Sequence, residues 1–226
     1  NLSWEAGMEA LAASRTVHST VMSGMDNPQP DGDEIFRGNA NSFIKQCLEE
    51  DGASPARIVD VGCSVGISTA GLKDTFPQAT VVGVDPSVYM LSVADAHWSA
   101  KKGYTIDWKH GLGEDLSFAS DSSVDLLSVM LVCHELPRSA TGAILDEAFR
   151  VLRPGGYLAI MEMDPTSEAW QKLLANPLFR GVFRSTEPWM DDYISLDLPR
   201  AIEEAGFSEL REGKNSTRHR TLVAKK

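Results

Sequence analysis

The sequence predicts an α/β fold: a doubly wound sheet of seven strands with helices on both faces, an antiparallel hairpin at one edge and a helical cap at the N-terminus. From residue 55 onward, short β-branched runs alternate with longer amphipathic stretches, which is typical of parallel βαβ units. After residue 207, two short alternating runs flank a turn-rich segment, as in an edge hairpin. A length of 226 residues is sufficient to bury the core of such a domain.

Each element has a local reason. The strands are predicted at 57–61, 80–84, 105–109, 124–132 and 157–161, and the hairpin strands at 208–213 and 219–224. Helices are predicted at 67–76, 87–100, 140–152 and 198–205. Pro77 and Pro154 follow two of these helices, where the missing N–H stops propagation. Gly155 and Gly156 then favour a tight turn into the fifth strand.

The first fifty residues follow another pattern. An Ala-rich amphipathic stretch, a Pro- and Asp-rich loop at 27–33 and a second helix at 39–50 predict a helical cap over residues 1–50. The core is then 51–226, with 164–197 as an insertion that covers the substrate. The aromatic side chains in the cap and the insertion are the candidate substrate contacts. They are Trp4, Phe36, Phe183, Trp189 and Tyr193. Packing of a lid onto the core is the alternative, because large aromatic side chains dominate burial.

Composition narrows the class of partner. A net charge of −11 disfavours binding to nucleic acid, which depends on Lys and Arg. No apolar run approaches the ~18 residues of a membrane helix, so we expect a soluble protein. The three cysteines show no paired spacing, which predicts no thiolate metal site and a reducing, cytoplasmic location. An organellar location after removal of a targeting segment stays open, and the sequence carries no signal for an oligomeric state.

The strongest local signal is the run IVDVGCSVG at 58–66, an apolar strand that ends in a tight turn and opens a helix. Gly62 and Gly66 lack the Cβ that would block a ligand, and the N–H groups opening the next helix can bind an anion. The second strand ends at Asp85, where a carboxylate can accept both hydroxyls of a ribose. Together these features predict a nucleoside pocket.

Three interpretations compete for this turn. A dinucleotide fingerprint would need glycines where Ser64 and Ile67 stand. A nucleophile elbow matches GCSVG literally and would make Ser64 the nucleophile of a serine hydrolase. That elbow normally follows several strands, whereas here only a helical cap precedes the turn. The third interpretation also uses Asp60, an acid two positions before the first glycine.

The run DVGCSVG at 60–66 resembles motif I of class I S-adenosylmethionine-dependent methyltransferases, with Ser64 where a glycine is commoner. Val84 and Asp85 resemble motif II, and EDLSF at 114–118 resembles the region that faces adenine. The segments 124–137 and 147–162 resemble the fourth strand, the next helix and the fifth strand. The resemblance spans residues 56–163 and is greatest to the methyltransferase type 11 and quinone-methyltransferase-like family, whose members act on small molecules.

This resemblance implies a Rossmann-like sheet that binds S-adenosylmethionine. Asp60 would hold the methionine ammonium, Asp85 the ribose hydroxyls, and Glu114 or Asp115 the adenine. The sequence departs from the family at Leu112, where an Asp is frequent. Arg37 is a candidate for the cofactor carboxylate, or else a solvated arginine. The expected cofactor-binding residues are Asp60, Gly62, Cys63, Ser64, Gly66, Asp85, Pro86, Glu114, Asp115 and Val132.

The predicted reaction is methyl transfer to a small molecule, with the accepting atom (O, N or C) open. An oxygen or nitrogen acceptor must lose a proton, and His134 and Glu135 follow the fourth strand where a base is needed. A structural role for His134 is the alternative. Arg138 stands where HExxH has its second histidine, so no metal is expected.

Other acids and the remaining function classes complete the predictions. Glu162 and Asp164 follow the fifth strand and could reach a substrate, but charged residues at strand ends are usually solvated, which is the expectation here. The acids Glu187, Asp191 and Asp192 favour a cationic substrate. A serine hydrolase and a non-catalytic cofactor-binding protein stay as alternatives, because a binding motif does not by itself establish turnover.

Overall fold

The computed structural model describes residues 32–226, with every side chain in that span except those of residues 32–34, 179, 182 and 183. The first part of the predicted cap, including Trp4, therefore lies outside the described residues. The same holds for the side chain of Phe183.

Seven strands form one sheet. They are β1 (Arg57–Val61), β2 (Thr80–Asp85), β3 (Ile106–His110), β4 (Val124–Met130), β5 (Leu152–Met163), β6 (Ser208–Lys214) and β7 (His219–Lys225). Their order is β3-β2-β1-β4-β5-β7-β6. Strands β1 to β5 are parallel, and β7 runs antiparallel to both β5 and β6. The predicted fold class and the edge hairpin are confirmed. The order reverses at β1 and β4, and open α/β sheets bind ligands at such a switch point.

Helices cover both faces of this sheet. Among the described residues they are α1 (Gly32–Glu50), α2 (Ile67–Thr75), α3 (Val88–Ala94), α4 (Arg138–Val151), α5 (Glu168–Leu174), α6 (Pro177–Thr186), α7 (Met190–Ile194) and α8 (Leu198–Glu204). Side-chain caps start three of them: Ser87 Oγ accepts from the Met90 N–H at 3.3 Å, Ser167 Oγ from the Trp170 N–H at 3.3 Å, and Asp197 Oδ1 from the Arg200 N–H at 3.2 Å. Such caps satisfy N–H groups that have no partner inside the helix.

Several predicted boundaries were wrong. Strand β4 ends at Met130 rather than at 132, because Leu131 has a φ of 60° and turns the backbone out of the sheet. Strand β5 begins at Leu152 rather than at 157. Gly155 and Gly156, predicted as a turn, bond instead to Lys226 at the end of the last strand, with both N···O distances at 2.9 Å. The helix predicted at 87–100 is α-helical only to Ala94 and continues as a π-helical segment, Asp95–Lys101.

Alternation along the parallel strands builds a core on each face. Val59 and Val61 of β1 belong to one buried cluster with helices α4 and α8. Ile58 belongs to the other, with Leu72 of α2. Asp60 has the same parity as Ile58, which directs its side chain toward α2.

Helix α1, predicted as part of the cap, packs directly on this sheet. Its residues Ile44, Cys47 and Leu48 are fully buried in the core cluster that also contains Val223 of β7. Arg211 of β6 ties the end of the helix to the hairpin by bonding to Asp51 at 2.7 Å. Burial of this kind contributes about 1.5 to 3 kcal/mol per large aliphatic side chain. Residues 32–50 are therefore part of the core, and a separate cap is left as a prediction for the preceding residues.

Candidate active site

A cleft of about 540 Å³ opens at the carboxyl ends of β1, β2 and β4. Four of its walls come from segments that follow strands: 62–65 after β1, 85–87 after β2, 130–136 after β4, and Met163 at the end of β5. The rest of the described wall comes from four other elements: Arg37 of α1, Ile67 and Ser68 of α2, Met90 of α3 and His219 of β7. Parallel strands bring their carboxyl ends to one edge, so loops distant in sequence meet here.

The glycine turn forms one side of this cleft. Gly62 has a φ of +68°, which a glycine adopts without strain. A Cβ on Gly62 would lie 2.5 Å from Cγ2 of Val132, so the glycine lets the turn close against the loop after β4. Ser64, with a φ of 49°, donates its N–H to Asp85 Oδ2 at 2.7 Å. The predicted residues Gly62, Cys63, Ser64 and Val132 all line the cleft.

Gly66 is a glycine for a packing reason that the sequence did not predict. Its φ is +82°, and a Cβ there would lie 2.5 Å from Cη2 of Trp108 and 2.9 Å from Cδ1 of Trp98. Gly66 is not on the described cleft wall. Its missing side chain makes room for two indoles, and its contact with a cofactor stays a prediction.

Asp60 lies behind the wall. It is 1% exposed and its Oδ2 accepts from the Thr69 hydroxyl at 2.7 Å, while Oδ1 has no partner among the described residues. Burial raises its pKa to about 6, opposed by the Thr69 hydrogen bond. A buried acceptor without a donor is costly. The free Oδ1 therefore fits the ammonium group of S-adenosylmethionine, which would supply both a donor and a compensating charge.

Asp85 joins the end of β2 to the turn. Its Oδ2 accepts from the Ser64 N–H and its Oδ1 from the Ser87 N–H at 2.8 Å. An ionised carboxylate has about four acceptor positions, so two remain for ribose hydroxyls. Asp85 and Pro86 both line the cleft, and their contacts with the cofactor stay predictions.

The predicted adenine contacts lie elsewhere. Neither Glu114 nor Asp115 is on the described cleft wall. Asp115 is exposed, and its Oδ1 accepts from the Ser117 N–H at 3.1 Å, which caps a local turn. Leu112 is 53% exposed on the same loop. The structure therefore does not bring either acid to the cleft.

His134 and Glu162 form a buried pair at the other end of the cleft. The single 3₁₀ turn Cys133–Glu135 follows β4 and places the His134 ring on the wall. Nδ1 lies 2.8 Å from both oxygens of Glu162, and the His134 N–H donates to the same carboxylate at 3.0 Å. Glu162 is 1% exposed, so the prediction that it is a solvated strand end was wrong. Asp164 is buried too.

The pair leaves Nε2 of His134 as the nitrogen that can exchange a proton with a ligand. Burial favours the neutral ring, but the Glu162 carboxylate outweighs this effect and raises the pKa of His134. Nε2 lies 4.0 Å from Oε1 of Glu135, which is exposed on the cleft wall. Glu187, between α6 and α7, brings a third ligand atom within 4.8 Å of the other two.

The aromatic residues predicted to bind substrate occupy other places. Phe36 stacks on His219 with ring centroids 4.6 Å apart, and it is His219 that lines the cleft. Tyr193 is buried, donates its hydroxyl to the Met163 carbonyl and packs edge-on against His134. Trp189 is 42% exposed and is not on the described wall. Arg37 does line the cleft, where it donates to Ser68 Oγ.

Sequence reasoning missed the roles of Glu162 and His219. A signal for Glu162 was present, because it is the one acid in the apolar run YLAIMEM of β5, and a charge in a fully buried strand needs a partner. His219 carried no such signal. Its neighbours Phe36 and Ser216 come from α1 and the hairpin turn, and burial, the largest effect, lowers its pKa to about 4.

Comparison with known proteins agrees with this geometry. Residues 58–156 match a protein family described as a methyltransferase domain. The chain is 29% identical over 176 residues to an uncharacterized methyltransferase of Synechocystis, covering 77% of this chain and 78% of that protein. It is 43% identical over 107 residues to a trans-aconitate 2-methyltransferase of Azoarcus, covering 46% of this chain and only 38% of that protein.

The solved structures show the same fold. Magnesium protoporphyrin IX methyltransferase of Synechocystis, solved with bound S-adenosylhomocysteine, superposes with a TM-score of 0.69 at 18% identity, over 96% of this chain and 94% of that one. The matched methyltransferase domain, the methyltransferase relatives and this shared fold together support an S-adenosylmethionine-dependent methyltransferase. Nothing in these matches supports the serine hydrolase alternative. Over residues 32–226, no helix is both long and apolar enough to cross a membrane.

Proposed function

We propose that this methyltransferase acts on an oxygen or nitrogen of a small molecule whose proton is taken up by Nε2 of His134. The proposal is carried by one observation: a histidine on the cleft wall has its Nδ1 fixed by a buried carboxylate, with Nε2 left for the ligand. A carbon acceptor that is already nucleophilic would not need this pair.

The cofactor half of the cleft is assigned to the glycine turn and the two acids beside it. Asp85 would bind the ribose hydroxyls, the backbone at 62–64 would lie along the amino-acid portion, and the unpartnered Oδ1 of Asp60 would face the ammonium. Bound S-adenosylmethionine supplies an electrophilic methyl group. The residues of the chain align the acceptor with that methyl and exclude water, and alignment of this kind is worth about 7 to 11 kcal/mol in the best intramolecular cases.

His134 and Glu162 would act together. Nδ1–H donates to Glu162, which orients the ring and stabilises the imidazolium formed when Nε2 accepts the proton. Glu162 is thus a positioning residue, and Glu135 is a second acid beside the acceptor. The segment 164–197 is proposed to cover the substrate, since Tyr193 and Glu187 from this segment lie against His134.

We also propose that the protein acts on a small molecule and works in the cytoplasm. A net charge of −11 supports a small-molecule acceptor over nucleic acid, and a cytoplasmic location follows from the cysteine pattern.

Methyl transfer from labelled S-adenosylmethionine to a panel of alcohols, phenols, amines and activated carbon acids tests the proposal. We expect methyl ethers or methylamines. Transfer to carbon acids alone, or binding of S-adenosylhomocysteine without transfer to any panel member, would contradict it.

A further inference from the structure

His219 is a buried polar residue of the cleft that the proposed reaction does not use. It begins β7 opposite Met163, the last residue of β5, and both residues line the cleft. His219 is only 5% exposed, and its ring stacks on Phe36 with the two ring planes 9° apart. The ring is therefore held in one orientation at the wall of the cleft.

The hydrogen bonds around Ser216 fix which nitrogen of His219 carries the proton. Ser216 Oγ accepts from the N–H of Arg218 and from the N–H of His219, each at 3.1 Å. A hydroxyl has two acceptor positions and one hydrogen, so its hydrogen is left for Nδ1 of His219, 2.8 Å away. Nδ1 is therefore an acceptor, and in a neutral imidazole the proton then lies on Nε2.

The ring of His219 is neutral as well as oriented. Burial, helped by the charges of Arg218 and Arg37, lowers its pKa to about 4 against the opposing charge of Glu162. At neutral pH, Nε2–H is thus a hydrogen-bond donor and not a base. Nε2 makes no hydrogen bond within residues 32–226 and is not sealed in the interior, so its partner must come from the cleft.

The strand order places His219 at the acceptor end of the cleft. Strand β7 lies three strands from β1 and four from β2, which is about 14 and 19 Å at ordinary strand spacing. Asp60 and Asp85, the acids proposed for the cofactor, belong to those two strands. His134, in contrast, is close enough to influence the charge of the His219 ring. A donor at this position faces the substrate rather than the cofactor.

We propose that His219 recognises the substrate by donating Nε2–H to a carbonyl or carboxylate oxygen, so that the methyl acceptor carries such an oxygen beside the atom that is methylated. This inference rests on the proposed function and narrows its substrate class. An ammonium or guanidinium group offers only donors, and an apolar group offers nothing, so either would leave Nε2–H without a partner. A buried donor left without a partner is costly.

The test compares the binding of probes of matched shape in the presence of S-adenosylhomocysteine. Salicylate, 2-hydroxyacetophenone and 2-isopropylphenol form one series, and glycolate, hydroxyacetone and isobutanol form the other. In each series a carboxylate, an acetyl and an isopropyl group stand beside the same hydroxyl. We expect the carboxylate or the ketone of at least one series to bind about fivefold or more tightly than its isopropyl analogue. The two oxygenated probes of a series distinguish a carboxylate from a carbonyl.

The variant His219→Phe should abolish this preference, because phenylalanine keeps a ring that can stack on Phe36 but has no N–H. Ser208→Ala, which removes an exposed hydroxyl from the same hairpin, is the matched control and should keep the preference. His219→Met replaces the phenylalanine variant if that variant does not fold. Nitrogen-15 NMR of the wild type at pH 7, assigned by comparison with the variant, should show a proton on Nε2 and none on Nδ1.

Each other outcome counts against the inference. Equal binding within both series, no binding by any probe, a preference that survives the loss of His219, or a proton on Nδ1 overturns it. An equal loss of S-adenosylhomocysteine affinity in His219→Phe would assign the ring to the cofactor instead. Methylation of the isopropyl probes in preference to their analogues would also overturn it, yet would leave the proposed function intact, since that function depends on His134.

Discussion

The two ends of the cleft are built in different ways. At the cofactor end, Asp60, the turn at 62–64 and Asp85 belong to a single β-α-β unit, and the backbone N–H groups of Ser64 and Ser87 bond to Asp85. At the acceptor end, His134, Glu162 and Glu187 come from three separate parts of the chain, and Glu162 bonds to both the ring and the backbone N–H of His134. The first end is specified by a short stretch of sequence, whereas the second exists only once the sheet has assembled. Methyl donation is thus fixed by the local fold, while acceptor choice depends on tertiary contacts.

The largest effect that separates the two ends is expected in His134→Ala. Loss of the base should lower kcat by about 10²- to 10⁴-fold, because the acceptor keeps its proton. The affinity for S-adenosylhomocysteine, measured by calorimetry, should stay within about twofold of wild type. A large loss of cofactor affinity in this variant would show that the two ends are not independent.

Asp60→Asn, at the cofactor end, should raise the free energy of unfolding of the protein. The pKa of Asp60 is about 6 in the folded protein and 3.8 in the unfolded chain, so the folded state holds the extra proton and loses stability as the pH rises from 3.8 to 6. At pH 7.5 the penalty is at most about 3 kcal/mol. Asparagine has no charge to bury, so its free energy of unfolding should exceed that of wild type by up to this amount.

Urea unfolding of Asp60→Asn without cofactor, at pH 7.5 and pH 5, measures this gain. The difference in free energy of unfolding between variant and wild type should be smaller at pH 5. The increase in melting temperature that S-adenosylmethionine produces should be smaller in the variant than in the wild type. Equal free energies of unfolding for wild type and variant at pH 7.5 would contradict the claim that the buried Asp60 charge destabilises the fold.

Asp85→Ala should weaken S-adenosylhomocysteine by about 1.5 to 3 kcal/mol, the value of a hydrogen bond to a charged group. The substitution also leaves the Ser64 N–H without its acceptor, so the turn loses the hydrogen bond that joins it to the end of β2. Asp95→Ala is the matched control, because Asp95 is exposed on the π-helical segment. Unchanged calorimetric affinity in Asp85→Ala would refute the ribose contact.

The smallest expected effect is a displaced pH profile in Glu162→Gln. Activity of the wild type should rise with pH as His134 loses its proton, with a midpoint above the ordinary pKa of 6.5. Removing the Glu162 charge takes away the main effect that raises this pKa, so the midpoint should move to lower pH. Measurement of kcat/KM from pH 5.5 to 9 decides this. A profile that moves upward, or not at all, would assign Glu162 a purely structural role.

The sequence predicted the parts of the molecule that depend on neighbouring residues. The glycine turn, Asp85 and the alternation of the strands are local, because a turn and a strand are each set by a few consecutive side chains. Gly66 shows the limit of local reasoning. The sequence predicts a glycine turn at this position, but the side chain that a Cβ would meet there is Trp108, more than forty residues away. Glu114 and Asp115 show it again, since similarity to a motif does not fix the direction of a side chain.

By itself, the sequence determined the α/β class, the order of strands and helices, and the position of the cofactor turn. Only the tertiary structure decided that Glu162 is buried beside His134, that Tyr193 packs behind the ring and that α1 belongs to the core. The physical reason is distance along the chain. Hydrophobic periodicity specifies which face of an element is buried, but not which side chain of another element it meets, and that pairing is fixed only when the sheet and its helices pack together.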